Sequence, residues 1–318
     1  MEKQHAGASE KNGRMPYEGF FEEETSQRQE DPPAGEVLDS FSKIFEGYGL
    51  DFTRYKANFL KRRLDRRMSI LGIGAYQDYA DFLKNNRKEF EELFRSFSIN
   101  VTNFFRDPTV YEVFSSTIVP SMISNAGQSG KIRVWSAGCA SGEEPYSIAI
   151  MFSRVLEKTR DLTVEIIASD ISQKAIEWAR LGRYPSKSLE NLPVEVIGKH
   201  FTPVGEEEDK EYEICQFIKN MVSFGMSDIL SSDARGLDAI FCRNVLIYYE
   251  KEAQDLILSK FHQILKPTGY LVLGMDETML GRRCEKLFSP LMARERIYQK
   301  IDPAKGTKEL GKIAIQQG

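Results

Sequence analysis

The chain has 318 residues, 41% of them hydrophobic and 28% charged, a composition typical of a soluble globular protein. It is long enough for two domains, or for one domain with an appendage. A membrane-spanning helix needs about 20 consecutive apolar residues, and no stretch of this sequence approaches that length. The N-terminus also lacks the apolar core of a signal peptide. We therefore expect a cytoplasmic protein without direct membrane insertion.

The net charge, the few histidines and the spacing of the cysteines argue against several classes of function. The formal net charge of −4 argues against a general nucleic-acid binder. Only three histidines occur, which disfavours histidine-based catalysis and metal chemistry. The four cysteines are far apart and form no Cys-x-x-Cys pair, so we expect neither a disulfide framework nor a metal site.

The first hundred residues divide by composition. Residues 1–35 are rich in Glu, Gln, Ser, Gly and Pro, which predicts a disordered leader. Residues 36–99 show helical periodicity, punctuated at Gly72 and Gly74, which predicts a small all-helical domain. The apolar positions of three of its helices are Phe41, Ile44 and Phe45; Tyr76, Tyr79, Ala80 and Leu83; and Phe90, Leu93, Phe94 and Phe97.

Residues 55–68 form a further predicted helix with a basic face. At about 100° per residue, one apolar stripe contains Leu60, Leu64 and Met68 and continues to Leu71. A separate broad face carries five cations: Lys56, Arg62, Arg63, Arg66 and Arg67. The pattern alone does not distinguish a binding surface from an ordinary solvated helix face. Five cations with one nearby acid are, however, more than solubility requires.

Residues 100–130 connect the helical part to the rest of the chain and are interpreted as a linker. They open with Asn-Val-Thr-Asn-Phe-Phe-Arg-Asp-Pro, which combines polar side chains, two aromatics and a guanidinium. Because ligands favour domain interfaces, we predict a cofactor or active-site motif here. The alternative for Phe104 and Phe105 is a linker with two core phenylalanines.

From residue 131 to residue 302, strand and helix patterns alternate. The predicted order is strand 131–136, helix 144–156, strand 164–169, helix 172–181 with Ser172 as its N-cap and Gly182 past its end, strand 238–242, helix 251–265, a turn at 266–269, strand 270–274 and a terminal strand at 296–301. This alternation predicts an α/β fold with a doubly wound parallel sheet. Residues 303–318 are expected to form a loose tail.

One segment, residues 184–225, breaks the alternation. It contains Pro185, Pro193 and Pro203, an acidic run at 206–209 and short alternating stretches such as 212–217. We expect a small antiparallel β subdomain inserted between the parallel strands.

Residues 133–147, Arg-Val-Trp-Ser-Ala-Gly-Cys-Ala-Ser-Gly-Glu-Glu-Pro-Tyr-Ser, are the most informative stretch. A buried strand, a loop with Gly138 and a first helical turn are typical of a nucleotide-type binding unit. A helix N-terminus normally suits a phosphate, which Glu143 and Glu144 would repel. They would instead attract a ligand with an ammonium group, such as S-adenosylmethionine. The alternative is a tight turn whose acids only stabilise the helix dipole.

Polar residues also follow two later strands. Asp170 ends the second strand, where a carboxylate can accept two hydrogen bonds from a ribose diol, although an acid that merely starts the next helix would look the same. Asn244 follows strand 238–242, and ligands of open α/β sheets bind at the carboxyl ends of strands. Arg243 beside it is as readily structural, because a buried polar pair needs partners.

Five motifs occur in a fixed order along the chain. They are Asn-x-Thr-x-Phe-Phe-Arg from Asn100, Val-Trp-Ser-Ala-Gly-Cys-Ala-Ser-Gly-Glu-Glu-Pro-Tyr-Ser from Val134, Ala-Ser-Asp-Ile from Ala168, Phe-Cys-Arg-Asn-Val-Leu-Ile-Tyr-Tyr from Phe241, and Leu-Lys-Pro-x-Gly-Tyr-Leu from Leu265. This series resembles the CheR family of chemotaxis receptor protein-glutamate O-methyltransferases across residues 40–300. The resemblance implies a Rossmann-like S-adenosylmethionine-dependent methyltransferase, and we expect a monomer.

The resemblance also implies roles for individual residues. Together with the glycine loop it predicts these cofactor-binding residues: Asn100, Thr102, Arg106, Gly138, Glu144, Asp170, Asp228, Asn244 and Val245. Glu144 would hold the amino group of the methionine part, Asp170 the ribose, and Asp228 would lie near the adenine. Asn244 and Val245 would lie near the methionyl and ribose portion.

Methyl transfer to a carboxylate would need no general base, because glutamate is deprotonated at neutral pH and the sulfonium carbon is already electrophilic. The protein must instead supply in-line alignment. Arg106 would orient the carboxylate by a bidentate contact, and Tyr248 would assist by hydrogen bonding, so these two are the predicted catalytic residues.

The implied partner is the cytoplasmic domain of a methyl-accepting chemotaxis receptor, whose acidic helices would dock on the basic face, outside the nucleotide crevice. The acidic run at 206–209 predicts that the inserted unit does not capture an acidic receptor tail. We expect no nucleic-acid partner. Two alternatives stay open: a methyltransferase of the same fold that acts on RNA or a small molecule, and a non-catalytic S-adenosylmethionine-binding signalling scaffold.

Overall fold

The computed structural model describes residues 34–47, 51–97, 102–157, 159, 161–206, 210–279 and 286–302. Most of the expected leader and the whole expected tail lie outside these residues, as do Asn100 and the acids at 207–209. The first helix begins at Ala34, so the described helical part starts slightly before the predicted boundary at residue 36.

The described residues up to Phe97 form the helical domain. Its helices are α1 (Ala34–Gly47), α2 (Ala57–Leu71), α3 (Tyr76–Lys84) and α4 (Arg87–Phe97), with a short 3-10 turn at Phe52–Arg54. Their apolar faces share one core, as the periodicity predicted. The apolar stripe of α2 is buried at Leu64 and Met68, whereas Leu71 is exposed because the helix ends there. Gly72 then adopts φ 69°, a left-handed conformation that glycine tolerates.

Residues 108–126 are helical where the sequence predicted a linker. α5 (Pro108–Val113) and α6 (Val119–Ala126) are joined by a π-helical turn. Phe114, in this turn, is fully buried, and its ring centroid lies 5.0 Å from that of Phe241 in the sheet. The segment is therefore part of the packed α/β domain.

In the described residues the α/β domain is built on a seven-stranded sheet. Its strands in spatial order are β6 (Val222–Met226), β2 (Thr163–Asp170), β1 (Lys131–Ala137), β7 (Leu237–Cys242), β8 (Leu265–Leu273), β10 (Ile297–Lys300) and β9 (Phe288–Met292). Pairing is parallel from β6 to β8, and β10 is antiparallel to both of its neighbours. Because β1 lies between β2 and β7, the strand order reverses beside it, which makes its carboxyl end the topological switch point.

Helices cover both faces of this sheet, which confirms the doubly wound prediction. α7 (Glu143–Leu156) packs on one face and α11 (Lys251–Ile264) on the other, and β1 alternates between them, with Val134 towards α7 and Trp135 towards α11. α8 (Gln173–Leu181) is capped as predicted, since the Ser172 hydroxyl accepts the Ala175 N–H at 3.3 Å. Along the described chain, none of the helices has both the length and the apolar character that a membrane crossing requires.

The sheet departs from the prediction at three places. Residues 266–269 are strand rather than turn, because β8 begins at Leu265, which pairs with Leu237 through a register shift in β7. β9 is an antiparallel strand that the pattern did not predict. β6 belongs to the large sheet, where it pairs with β2, although residues up to 225 were assigned to the insert.

The predicted antiparallel subdomain is present as a separate sheet. Its strands β3 (Arg183–Pro185), β5 (Glu211–Ile214) and β4 (Phe201–Val204) lie in that order, accompanied by α9 (Val194–His200) and α10 (Gln216–Lys219). The ring centroids of Tyr184 and Phe201 lie 4.8 and 5.2 Å from that of the buried Phe104. The inserted unit therefore packs against the segment that precedes Arg106.

Candidate active site

A cavity of about 250 Å³ opens at the carboxyl ends of β1, β2 and β7, between the sheet and the helical domain. Eight of the predicted site residues line it: Thr102, Arg106, Gly138, Glu144, Asp170, Asn244, Val245 and Tyr248. They come from separate stretches of sequence, and the parallel strands bring them to one edge. This is where open α/β sheets bind their ligands.

The glycine loop forms one wall of the cavity. Gly138 adopts φ 80°, and a Cβ atom there would lie 2.5 Å from Val245 Cγ2. The Gly138 and Cys139 N–H groups donate to the Ser169 carbonyl at 2.8 and 2.9 Å, which fixes the loop to the end of β2. Only glycine fits this close approach of the loop to Val245.

The two acids that begin α7 point to different environments. Glu144 lines the cavity and accepts a hydrogen bond from the Ser136 hydroxyl at 2.7 Å. Burial raises the pKa of Glu144, and the Arg243 charge opposes this rise. Glu143 does not line the cavity: it accepts from the Ser141 hydroxyl at 2.7 Å, and burial raises its pKa to about 7. The expectation that both acids face the ligand is therefore wrong for Glu143.

Asp170 ends β2 at the cavity wall. Its carboxylate accepts the Ala140 and Ser172 N–H groups, each at 2.9 Å. Burial raises the pKa of Asp170, whereas these hydrogen bonds favour the ionised form. One carboxylate therefore holds the loop, accepts the N–H of the residue that caps α8 and faces the cavity.

Asn244 stands at the end of β7 in a left-handed conformation with φ 59°. Its Oδ1 atom is buried and has no hydrogen-bond partner among the described residues. The Asn244 backbone is held by Glu277, whose Oε2 atom accepts the Asn244 N–H at 3.0 Å. An unpaired buried amide oxygen at the edge of a cavity is expected to be satisfied by a bound ligand.

Arg243 makes contacts within the fold and also borders the cavity. Its guanidinium donates to Asp107 Oδ2 at 2.5 Å and to the Arg106 carbonyl at 2.8 Å, and it lies 5.6 Å from the Tyr111 ring centre. On the other side of the same loop, the Phe105 N–H donates to the Ser147 hydroxyl at 2.8 Å. The segment that carries Arg106 is thus fixed to both β7 and α7.

The two predicted catalytic residues lie in the same cavity. Arg106 and Tyr248 both line it, and the Arg106 charge acts on the Tyr248 hydroxyl. Burial raises the pKa of Tyr248, while the Arg63 and Arg106 charges oppose the rise, so this phenol is a neutral hydrogen-bond donor at neutral pH.

The helical domain forms the roof of the cavity. Its contribution is aromatic: Phe52, Tyr55, Phe59 and Phe97. The Lys56 N–H donates to the Tyr248 carbonyl at 2.9 Å, and the Glu250 N–H donates to the Arg54 carbonyl at 2.8 Å. The expectation that the helical domain lies outside the crevice is therefore wrong, because the chain leading into α2 pairs with the turn that carries Tyr248.

The basic face of α2 is smaller than predicted. Lys56, Arg62 and Arg66 are exposed, whereas Arg63 is half-buried with its guanidinium 5.4 Å from the Phe59 ring centre. Arg67 turns inward and makes a bidentate ion pair with the buried Glu89 at 2.9 and 2.7 Å. Helical periodicity placed Arg67 on the basic face, but its long side chain reaches α4 instead.

Asp228 lines a neighbouring cleft together with Asp51 and Arg54, rather than the cavity itself. It accepts the Leu230 N–H at 2.7 Å, and Ser227 and Ile229 on either side of it do line the cavity. Asn100 lies outside the described residues. Within the described residues no cluster of three or more His, Cys, Asp or Glu side chains could hold a metal ion.

Two groups of site residues were missed by the sequence reasoning. One is the aromatic roof, since its phenylalanines match the periodicity of ordinary core positions. The other is Glu277, an acid that follows β8 at the carboxyl edge of the sheet. Its place after a parallel strand was the available sequence indication.

Comparison with known proteins places these features in a family. The model of the CheR methyltransferase SAM-binding domain matches residues 100–295, and that of the CheR methyltransferase all-alpha domain matches residues 40–98. A chemotaxis protein methyltransferase of Listeria innocua is 34% identical over 237 residues, which cover 73% of this chain and 86% of that protein. One of Borreliella burgdorferi is 30% identical over 248 residues, or 76% of this chain and 87% of that protein.

A longer relative also matches. An uncharacterized 104.1 kDa protein in the hypE 3' region of Rhodobacter capsulatus is 33% identical over 256 residues, which cover 80% of this chain but 26% of that protein. The shared region there is one part of a larger polypeptide.

The cavity fits the cofactor that the family model names. The Asn244 amide oxygen lacks a partner among the described residues, and Glu144 and Asp170 border the cavity, where their carboxylates would repel a phosphate. A phosphate-free nucleoside with an amino acid head matches this set of groups. The chain therefore belongs to the CheR methyltransferase family and is an S-adenosylmethionine-dependent methyltransferase.

Proposed function

We propose that the protein methylates glutamate side chains on the cytoplasmic helices of methyl-accepting chemotaxis receptors, forming glutamate methyl esters. The observation that carries the proposal is the hydrogen bond from the Lys56 N–H to the Tyr248 carbonyl at 2.9 Å. It joins the start of the basic helix to the turn that bears a candidate catalytic phenol. A substrate helix held by α2 would present its carboxylates beside the cavity.

The proposed cofactor contacts follow the cavity wall. Glu144 holds the amino group of the methionine part, and Asp170 accepts hydrogen bonds from the ribose. Asn244 and Thr102 supply polar contacts, while Gly138 and Val245 shape the wall. When bound, S-adenosylmethionine supplies an electrophilic methyl group on a sulfonium. We assign Asp228 no direct contact, because it borders the neighbouring cleft.

Arg106 and Tyr248 act on the substrate carboxylate. The guanidinium of Arg106 orients it through paired N–H donors, and the neutral phenol of Tyr248 donates a further hydrogen bond. No general base is required, because a glutamate is already ionised at neutral pH. The aromatic roof excludes water from a reaction in which a cation and an anion become neutral products.

The docking surface consists of Lys56, Arg62, Arg63 and Arg66, without Arg67. Its exposed charges suit an acidic protein helix, which favours a receptor over a small-molecule substrate. The chemotaxis names of the relatives support the same partner. We place the reaction in the cytoplasm and treat the enzyme as a monomer that does not capture a receptor tail through its inserted unit.

The test is methyl transfer from labelled S-adenosylmethionine to a receptor cytoplasmic fragment. Label that is released as methanol by mild base identifies methyl esters, and a fragment with its methylation-site glutamates changed to alanine is the control. We expect base-labile label on the intact fragment alone. Label that resists base would point to another acceptor, and tight cofactor binding with no transfer to any fragment would favour the scaffold alternative.

A further inference from the structure

Glu277 is a buried carboxylate that the reaction itself does not use. It is 3% exposed and lies just after β8, at the carboxyl edge of the sheet. Its Oε2 atom accepts the Gly274 and Asn244 N–H groups at 2.6 and 3.0 Å. Its Oε1 atom accepts the Val245 and Leu246 N–H groups at 2.9 and 2.7 Å. One side chain therefore satisfies four backbone donors.

Three of those donors belong to the turn that leaves β7 for the cavity. Asn244 holds φ 59° in this turn, a left-handed conformation that asparagine adopts more readily than most residues with a side chain. The approach to β8 is also close, since a Cβ atom on Gly274 would lie 2.6 Å from Asn244 N and 2.9 Å from Glu277 Oε2. The three N–H groups that the turn donates to Glu277 hold it in this conformation.

We infer that Glu277 is a positioning residue that builds the cofactor-binding turn, holding Asn244 and Val245 in their binding geometry before the cofactor arrives. The inference rests on the proposed function, in which Asn244 and Val245 contact the cofactor. The turn would otherwise have to become ordered during binding, and that ordering would reduce the affinity. Glu277 itself does not line the cavity.

The chemistry requires a carboxylate at this position. Each oxygen accepts two N–H groups, so an amide of the same size would place its NH₂ group against two backbone donors whichever way it turned. Glu277→Gln therefore breaks half of the arrangement while it preserves the packing. Asp276→Asn, the exposed neighbouring residue, is the matched control.

Binding of S-adenosylhomocysteine, measured by titration calorimetry, gives the first test. Glu277→Gln should raise the Kd at least tenfold, and Asp276→Asn should leave it within twofold of the wild type. An unchanged Kd in Glu277→Gln would overturn the positioning role of Glu277 and leave the proposed function standing. Failure of the wild-type protein to bind the product would instead overturn the proposed placement of the cofactor.

A double-mutant cycle separates positioning from general support of the fold. If Glu277 acts through Asn244, Glu277→Gln combined with Asn244→Ala should bind no more than twofold more weakly than the weaker single variant. A combined loss equal to the product of the single losses would contradict that route.

Hydrogen exchange of the wild-type protein tests the inference even if Glu277→Gln does not fold. The amides of Asn244, Val245 and Leu246 should exchange at least a hundredfold more slowly than unstructured amides in the free protein, with little further change on binding product. Rapid exchange that slows only when the product binds would show that the ligand, rather than Glu277, forms the turn.

Discussion

The phenol oxygens of Tyr55 and Tyr249 lie 3.0 Å apart, and their rings stack with centroids 4.5 Å apart. Tyr55 belongs to the helical domain, and Tyr249 ends the turn that carries Tyr248. An antiparallel bridge pairs the same two residues along the backbone. Their contact therefore sets how the basic helix and the aromatic roof lie over the cofactor cavity.

Tyr55→Ala should open this roof. We expect binding of S-adenosylhomocysteine to weaken about tenfold, which corresponds to about 1.4 kcal/mol, because one aromatic ring of the cavity lining and its stacking on Tyr249 are lost. Titration calorimetry measures the effect. Tyr76→Ala is the control, since Tyr76 is also half-buried in the helical domain but bonds to Asp65 away from the cavity. Equal losses in the two variants would mean that only the stability of the domain matters.

Asp170→Ala should weaken binding of the same ligand by about 1–3 kcal/mol, the loss expected for hydrogen bonds to a charged group. Titration calorimetry measures the affinity. A thermal melt of the same variant measures its stability, because Asp170 also accepts two backbone N–H groups that support the fold. Asp161→Ala, an exposed position just before the opposite end of β2, should have no effect on affinity. Unchanged affinity in Asp170→Ala would remove this residue from the site.

Arg106→Ala should reduce turnover at saturating cofactor about 100-fold, because misplacement of the reacting group is costly. Cofactor affinity should fall much less, since the proposed partner of the guanidinium is the substrate carboxylate. Steady-state kinetics and calorimetry together separate the two effects. A collapse of cofactor binding with normal turnover of the saturated enzyme would reverse the assignment.

Charge reversal of Lys56, Arg62 and Arg66 to glutamate should abolish receptor methylation and leave product binding intact. Wild-type methylation should also fall with added salt, because exposed charges are screened within about 10 Å at 0.1 M. Arg67 is left out, since breaking its buried pair with Glu89 would destabilise the domain.

The control for this surface makes the same charge change on the same domain, at the exposed residues Lys84, Arg87 and Lys88. That variant should methylate the receptor fragment at the wild-type rate. If both triple variants lose activity equally, the loss comes from the change in net charge rather than from a receptor-binding surface on α2.

Glu143 should make stability depend on pH. Burial raises its pKa from 4.5 to about 7, so the unfolded chain releases this proton before the folded protein does. The folded state therefore loses stability as pH rises from about 4.5 through about 7, by about 3 kcal/mol in total. Glu143→Gln should be more stable than the wild type at pH 8 and nearly equal to it at pH 5, measured by urea unfolding. A constant difference across this range would contradict the burial of an ionisable carboxyl.

Local pattern was sufficient for much of the fold. The alternation after residue 131, the cap at Ser172, the break at Gly182 and the antiparallel insert all follow from periodicity and turn chemistry, and the structure contains them. The carboxyl-edge rule likewise predicted that Asp170 and Asn244 would meet at one cavity, because parallel strands end at the same edge. These inferences need no knowledge of how the domains pack.

Contacts between distant segments decided the rest. Helical periodicity could not tell that Arg67 turns to Glu89, because a long flexible side chain chooses its partner only after α4 has packed. It also could not distinguish Glu143 from Glu144. These acids are neighbours in one helix, but Glu143 faces the packed interior and Glu144 faces the cavity. The motifs in the sequence were enough to name the polar residues of the cavity wall, such as Glu144, Asp170 and Asn244. The tertiary structure decided that the helical domain closes over them and that Glu277 holds their turn, because burial and hydrogen bonding between remote residues exist only once the whole chain has folded.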